Sequence, residues 1–242
     1  MNTLTILSAG SFRRALNALA DAFHEQNRTL TIDCHFGPAG LLRERIEQGE
    51  HCDIFISANL EHIDTLSAQH KVLERATIAH NCLGLTAKRS PQTEGRDALS
   101  LLFDRTLRLG TSTPNADPCG DYAWQLFERI DARYPGEGKS LKQRALPLVG
   151  GKTTAAIPEG EIASRYLLAH NKADLFLGYA HYAPLLAADP ALITLALPRD
   201  LNIIADYGCA RLQANGAASA FFTFLQSAQS QRIIAAHGFI GG

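Results

Sequence analysis

The sequence carries no excess of charge of either sign. Its 23 basic and 24 acidic side chains leave a formal net charge of -1 and are spread along the chain. There is no basic footprint of the kind that binds nucleic acid or anionic membranes, and neither is expected as a partner. No apolar run approaches the roughly 20 residues needed to span a bilayer. The longest apolar stretches, such as Leu4–Leu7 and Ile54–Ile56, are strand-sized, so membrane insertion is not expected. Low-complexity tracts are missing too, which excludes extended disorder. No signal peptide is visible. The opening Met-Asn-Thr runs directly into an apolar strand, as in a processed chain, so the missing leader does not argue for the cytoplasm. Five cysteines (Cys34, Cys52, Cys82, Cys119 and Cys209) fit neither a zinc spacing nor a CxxC motif. Their odd number leaves at least one free thiol. Buried apolar roles are expected, with Cys82–Cys209 the one conceivable pair because both lie on candidate hinge strands.

What is present is a 242-residue chain that is 46% hydrophobic and 19% charged, enough for one or two packed domains. It begins β-α-β-α-β. Leu4–Leu7 reads as a strand and Ser8–Ser11 as a small-residue turn. Phe12, Leu16, Leu19, Ala20 and Phe23 then recur at helical spacing, with Ser11 where an N-cap belongs. Leu30–Phe36 alternates like a strand. Gly37–Gly40 is a second small-residue turn, followed by a helix that ends near Gly49. Asp53–Ser57 has the character of a buried parallel strand. Strands alternating with helices imply an α/β domain with a parallel sheet.

Further along, Asn81–Ala87 reads as a strand. A second α/β unit follows, with strand Thr106–Gly110, a turn over Thr111–Gly120 and a helix carrying Tyr122, Leu126 and Ile130. Tyr134–Lys139 reads as a loop, Ala145–Val149 as an apolar stretch and Gly150–Gly160 as a turn. Ile162–His170 is expected to be helical and Asp174–Ala180 a strand. Pro198–Ala205 leads into a strand near Tyr207–Leu212. One final helix is expected to carry Phe221, Phe224, Leu225, Ile233 and Ile234.

The chemistry is expected at the small-residue turns. In open α/β sheets, ligands bind where strands end and helices begin. Helix starts offer unpaired N–H groups and a partial positive charge, which suit an oxyanion. The turns are Ser8-Ala9-Gly10-Ser11, Gly37-Pro38-Ala39-Gly40 and Pro118-Cys119-Gly120. Any one of them serves equally well as an ordinary βα connection. Three, split between two α/β units, point to a ligand held in a cleft.

These residues also resemble a family. Residues 6–16 (ILSAGSFRRAL), 36–49 (FGPAGLLRERIEQG), 53–59 (DIFISAN), 118–123 (PCGDYA), the strand ending at Tyr179-Ala180 and the tail 224–239 (FLQSAQSQRIIAAHGF) are similar to bacterial extracellular solute-binding proteins of the periplasmic molybdate-binding type. The resemblance implies a type II periplasmic-binding fold: two α/β lobes joined by two hinge strands. Lobe one would comprise residues 1–82 and 205–242 and lobe two residues 88–195, with hinges at about 83–87 and 196–204. It implies a periplasmic, monomeric, cofactor-free protein that is not an enzyme and that hands its ligand to a membrane ABC permease. The ligand would be an oxyanion such as molybdate or tungstate, held by uncharged donors in the inter-lobe cleft.

Carried over by residue, the contacts are Ser11, the backbone of Ala39–Gly40, the backbone of Cys119–Gly120, and Tyr179. Pro38-Ala39 stand where the family usually has two serines, and Pro38 has no N–H. Losing one hydroxyl donor costs about 1–3 kcal/mol in a desolvated site. Glu161 aligns near the donor at the next helix start, where its charge would repel an anion. Thr153 or Thr154 is a candidate substitute for the missing serine. Two alternatives stay open on the same fold. One is a differently shaped small anion. The other is a metal cation such as ferric iron, held by His35, Glu161, His181 and Tyr182 beside Tyr179. Catalysis would need a nucleophile with a base; no GxSxG, HExxH or P-loop lysine motif occurs. Cys119 is the one candidate, because a helix start favours the thiolate. A regulator's sensing domain shares the fold, but no helix-turn-helix segment precedes Leu4.

Overall fold

The protein is described here by a computed structural model covering residues 2–241. In chain order the elements are β1 (Asn2–Ala9), α1 (Arg13–Gln26), β2 (Leu30–Gly37), α2 (Ala39–Glu47), β3 (Ile54–Ser57), α3 (Leu60–Ala68), β4 (Glu74–Lys88), α4 (Ala98–Phe103), β5 (Leu109–Ser112), α5 (Pro118–Arg133), α6 (Glu137–Arg144), β6 (Leu146–Val149), α7 (Ala163–Ala169), β7 (Leu175–Tyr179), α8 (Ala183–Ala187), β8 (Leu192–Ala196), β9 (Ile204–Arg211), α9 (Gly216–Leu225), α10 (Ala228–Ala236) and β10 (Ile240–Gly241). Single 3-10 turns, Gly10–Phe12 and Ala180–Tyr182, lead into α1 and α8.

The chain divides into two compact units: Met1–Asn81 with Ala205–Gly242, and Cys82–Ile204. It leaves the first unit inside β4 and re-enters it at the start of β9. Met1 and Gly242, the ends of the lobe expected from sequence, lie outside the described residues.

In the first unit the strand order is β2-β1-β3-β9, with the opening part of β4 beside β9 and β10 paired to it. β1 runs parallel to β2 and β3, while β3 is antiparallel to β9. All four β3 residues are buried, as a strand covered on both faces requires. Ala15, Leu16, Leu19 and Phe23 form the buried stripe of α1. Phe23 packs edge-on against Phe221 at 5.1 Å and tilted against Phe224 at 5.2 Å, which ties α1 to α9. The carboxylate of Asp53, only 1% exposed, accepts the Thr5 amide and the Asn215 side-chain amide, each at 2.8 Å. Asn215 in turn caps α9. The acid of the DIFIS segment is therefore a pin between β1 and α9, buried with its hydrogen-bonding capacity in use.

In the second unit β4 lies between β7 and β8, antiparallel to both. β5 runs parallel to β7 on one side and β6 on the other. Helix α5 buries Tyr122, Leu126, Phe127 and Ile130. Ile162, Leu167, Leu168, Phe176, Leu186 and Leu192 form a continuous apolar cluster.

Several expectations change. The final helix is two helices, because the Ser227 hydroxyl accepts the Ser230 amide at 3.2 Å and restarts the chain as α10. The Tyr134–Lys139 loop is cut short: Gly136 at φ +91° turns the backbone and α6 begins at Glu137. The strand placed at Thr106–Gly110 is Leu109–Ser112; Thr106 instead closes a turn on the Asp104 carboxylate. Cys82 and Cys209 are not joined, and all five cysteines are free thiols. Burial pushes the thiol of Cys34 up to about 11 and that of Cys52 up to about 12, and raises that of Cys209 as well. Cys52 and Cys209 lie in the first unit's core and act as small apolar groups.

Candidate functional site

Strands β1 and β2 end side by side, with Ala9 opposite Gly37. Two helices therefore start at one end of the first unit's sheet. A Cβ placed on Gly10 would lie 3.9 Å from the Gly37 carbonyl oxygen, so the two turns are in van der Waals reach. Helix α2 opens with Pro38 as its N-cap residue and no side-chain cap. The Pro38 carbonyl accepts the Leu42 amide at 3.0 Å. The amides of Ala39, Gly40 and Leu41 precede that first intrahelical bond and have no hydrogen-bond partner among the described residues. Ala39 and Gly40 are buried. The missing N–H of Pro38 costs this helix start nothing, because the donors begin at Ala39.

Ser11 does not cap α1. It lies within the Gly10–Phe12 turn, which makes no side-chain cap bond, and its hydroxyl sits 2.8 Å from the Tyr207 hydroxyl. Tyr207, on β9, is fully buried, and its ring packs on Phe12 at 5.7 Å and Phe239 at 5.1 Å. Sequence reading missed this partner, which lies 196 residues away in the chain. The only local signal was a tyrosine in an apolar strand.

In the second unit the start of α5 is built differently. Asp117 is its N-cap, and the Cys119 amide donates to the Asp117 carboxylate at 3.1 Å. The Gly120 amide donates to the Asp117 carbonyl at 2.8 Å. Both amides expected to hold an oxyanion are thus used within the turn, and a carboxyl occupies the place. The surroundings are tight. A Cβ on Gly120 would lie 2.5 Å from the Thr113 carbonyl carbon, and one on Gly150 would lie 2.5 Å from Asp117 Oδ2. Burial pushes the Asp117 carboxyl up to about 6, and the nearby Asp121 charge adds to the rise. The Cys119 amide and the Ser112 hydroxyl oppose it. The Cys119 thiol is held well above its ordinary value, first by burial and then by the Asp117 charge. Desolvation and the adjacent carboxyl thus outweigh the helix dipole and disfavour the Cys119 thiolate.

Tyr179 ends β7 opposite Leu83 of β4 and is 8% exposed. Its ring centroid lies 6.0 Å from that of His181, which stacks at 3.8 Å on Tyr182. Glu161 pairs with Arg165 at 3.1 Å, one helical turn along, so its charge is balanced locally. His35 bonds Asp33 at 3.0 Å on the edge strand β2. Among the described residues no three His, Cys, Asp or Glu side chains are gathered around a common point. Thr154 closes its own turn on Gly151 at 3.0 Å, and Thr153 is exposed. Among the described residues no helix is long and apolar enough to cross a membrane.

Residues 4–240 match the family model of bacterial extracellular solute-binding proteins. An uncharacterized protein of Pasteurella multocida is 41% identical over 212 residues, 87% of this chain and 88% of that protein. The molybdate-binding protein ModA of Escherichia coli is 23% identical over 98% of this chain and 88% of its own length. The structure of the Azotobacter vinelandii periplasmic molybdate-binding protein superimposes with a TM-score of 0.78, at 18% identity and covering 99% of both chains. The fold is the type II periplasmic-binding fold. The chain belongs to the family of bacterial extracellular solute-binding proteins.

Proposed function

We propose that this protein is the substrate-binding component of an ABC importer and that it captures a small oxyanion in the periplasm. Molybdate and tungstate are the ligands to which its resemblances point. What carries the reading is the start of α2. Three amides with no partner among the described residues, two of them on buried residues, lie beside the Ser11 turn at the ends of adjacent parallel strands. Such a site holds an anion with backbone dipoles instead of full charges.

Ser11 supplies a hydroxyl that Tyr207 orients, and Ala39 and Gly40 supply amides. Tyr179 supplies a hydroxyl from the second unit, so that one ligand is satisfied by donors from both. At Cys119 and Gly120 the contribution is steric, because their amides already bond Asp117. The loaded protein then docks, as a monomer, on a membrane permease. Transport, not catalysis, also fits the Cys119 thiol, which is buried and held protonated and therefore makes a poor nucleophile.

The test is calorimetry with molybdate, tungstate, sulfate and ferric iron. Ser11→Ala, Tyr207→Phe and Tyr179→Phe should each weaken oxyanion binding by about five- to a hundredfold, the range expected for one lost hydrogen bond in a desolvated site. Unchanged affinity in all three, or a response to iron alone, would overturn the assignment.

A further inference from the structure

Asn202 lies between β8 and β9 in the second unit, partly buried and flanked by the buried Leu201 and Ile203. Its side-chain amide bonds both backbone groups of a single residue. Asn202 Oδ1 accepts the Leu83 amide at 3.1 Å, and Asn202 Nδ2 donates to the Leu83 carbonyl at 2.8 Å. Oδ1 also accepts the Ile203 amide at 2.8 Å. The Asn202 backbone is held as well. Its amide donates to the Pro198 carbonyl at 2.9 Å, and its carbonyl accepts the Arg129 guanidinium from α5. Leu83 is only 1% exposed, so removing the Asn202 amide would leave two buried backbone groups without these bonds.

The place that Asn202 fills is the next rung of the sheet. The Arg89 amide donates to Ala191, on the β8 side of β4, and the Lys88 amide donates to Asp174, on the β7 side. Backbone groups alternate sides along a strand, so Leu85 and Leu83 turn theirs towards β8. Leu85 pairs there with Leu195, but β8 ends at Ala196, opposite Gly84. The strand stops short of Leu83, and the Asn202 amide supplies the acceptor and donor of the rung. On the other side Leu83 lies opposite Tyr179, the last residue of β7. With the Leu83 backbone groups turned to Asn202, these two form a pair without mutual backbone bonds, the kind in which facing side chains come closest. A Cβ on Gly84 would lie 3.3 Å from the Ala180 Cα, so the chain just beyond Tyr179 rests on the same stretch of β4.

We propose that Asn202 is a positioning residue for ligand binding: its side-chain amide completes the sheet at Leu83 and thereby fixes the end of β7 that presents Tyr179. The inference rests on the reading that the Tyr179 hydroxyl contacts an oxyanion. Without the amide, β4 loses its last fixed rung at the residue against which Tyr179 stands. Tyr179 ends its strand, so a tilt there displaces the hydroxyl at the tip of its side chain more than any backbone atom.

The test is a double-mutant cycle read by calorimetry with molybdate, tungstate and sulfate. Asn202→Ala and Asn202→Asp are each made in the wild type and in Tyr179→Phe. In the wild type, Asn202→Ala should weaken oxyanion binding about five- to thirtyfold, the loss expected when one hydrogen bond is misaligned, and should speed hydrogen exchange at the Leu83 amide. Asn202→Asp keeps the Oδ1 acceptor but sets an oxygen against the Leu83 carbonyl. It should weaken binding too, and it carries the test if the alanine variant is unstable. In Tyr179→Phe, either substitution should cost little more, because the hydroxyl that Asn202 positions is already gone. A merely structural asparagine would weaken binding by the same factor in both backgrounds, and that result would overturn the proposal. So would unchanged affinity in both Asn202 variants while Tyr179→Phe weakens binding, although the oxyanion site would then stand. If Tyr179→Phe binds as tightly as the wild type, or the wild type binds none of the three anions, the reading beneath the inference falls and the inference falls with it.

Discussion

Asp117 offers a prediction whose size can be worked out. Its carboxyl is raised from 3.8 to about 6 because burial at the start of α5 penalises the charged form more than the Cys119 amide and Ser112 hydroxyl favour it. A group whose folded pKa is raised contributes stability that is complete below the unfolded value and is lost as pH rises through the folded one. The window is therefore about pH 4 to 6. Above it the protein carries an ionised carboxylate at a cost of up to about 3 kcal/mol, at 1.36 kcal/mol for each pKa unit. Asn at this position is neutral at every pH and is as good a cap as Asp. Its side-chain oxygen can still accept the Cys119 amide. Asp117→Asn should therefore be more stable than the wild type at pH 7–8 by up to about 3 kcal/mol, and the gap should close as pH falls towards 4. The assay is urea unfolding across that range, followed by the fluorescence of Trp124, the only tryptophan, which lies on α5 itself. Parallel pH profiles for the two proteins, or a less stable variant at pH 7, would refute the account of the carboxyl.

His62 should act in the opposite sense in the first unit. It is 6% exposed on α3, its Nε2 has no hydrogen-bond partner among the described residues, and burial followed by the Arg43 charge lowers it from 6.5 to about 4. Stability present above about pH 6.5 should be lost as pH falls to about 4, by up to about 3 kcal/mol. His62→Leu should flatten that acid limb, which hydrogen exchange at the α2 and α3 amides would read. Gly138→Ala should destabilise the second unit by about 3 kcal/mol or more, because the added methyl would lie 1.9 Å from the Phe127 carbonyl oxygen where α6 meets α5. A thermal midpoint equal to that of the wild type would show that the two helices separate at little cost.

Much of the fold was legible where burial and period agree. Ile54–Ser57 reads as a buried strand because each residue but the last is large and apolar. The stripe of α1 reads as a helix because Leu16, Leu19 and Phe23 repeat at helical spacing. Legibility fails where pairing supplies what sequence does not. β4 begins at Glu74, seven residues before its apolar stretch becomes recognisable, because Ile78 and Ala79 are the only buried positions in that lead-in. Its partners there are β9 and β10, which lie far along the chain. The break between α9 and α10 was hidden for a related reason. Ser227 looks like one more small polar residue in a helix until its hydroxyl is seen to take the Ser230 amide.

The site shows the same division between residue type and residue use. Small residues at strand ends marked both helix starts, and sequence alone could not say which start keeps its amides. The difference rests on one side chain. Asp117 before Pro118 is a strong cap signal, an acceptor followed by proline in the first turn, and it draws on the Cys119 amide that a ligand would need. Pro38 before Ala39 has no acceptor side chain, so that helix start keeps its donors. The proline that read as a lost contact thus marks the vacant end, and the acid that drew no notice marks the filled one. The anion-holding capacity of a βα turn therefore depends on what its capping residue already satisfies. By that measure the start of α2 keeps the donors an anion needs, whereas the start of α5 has spent them on its own cap.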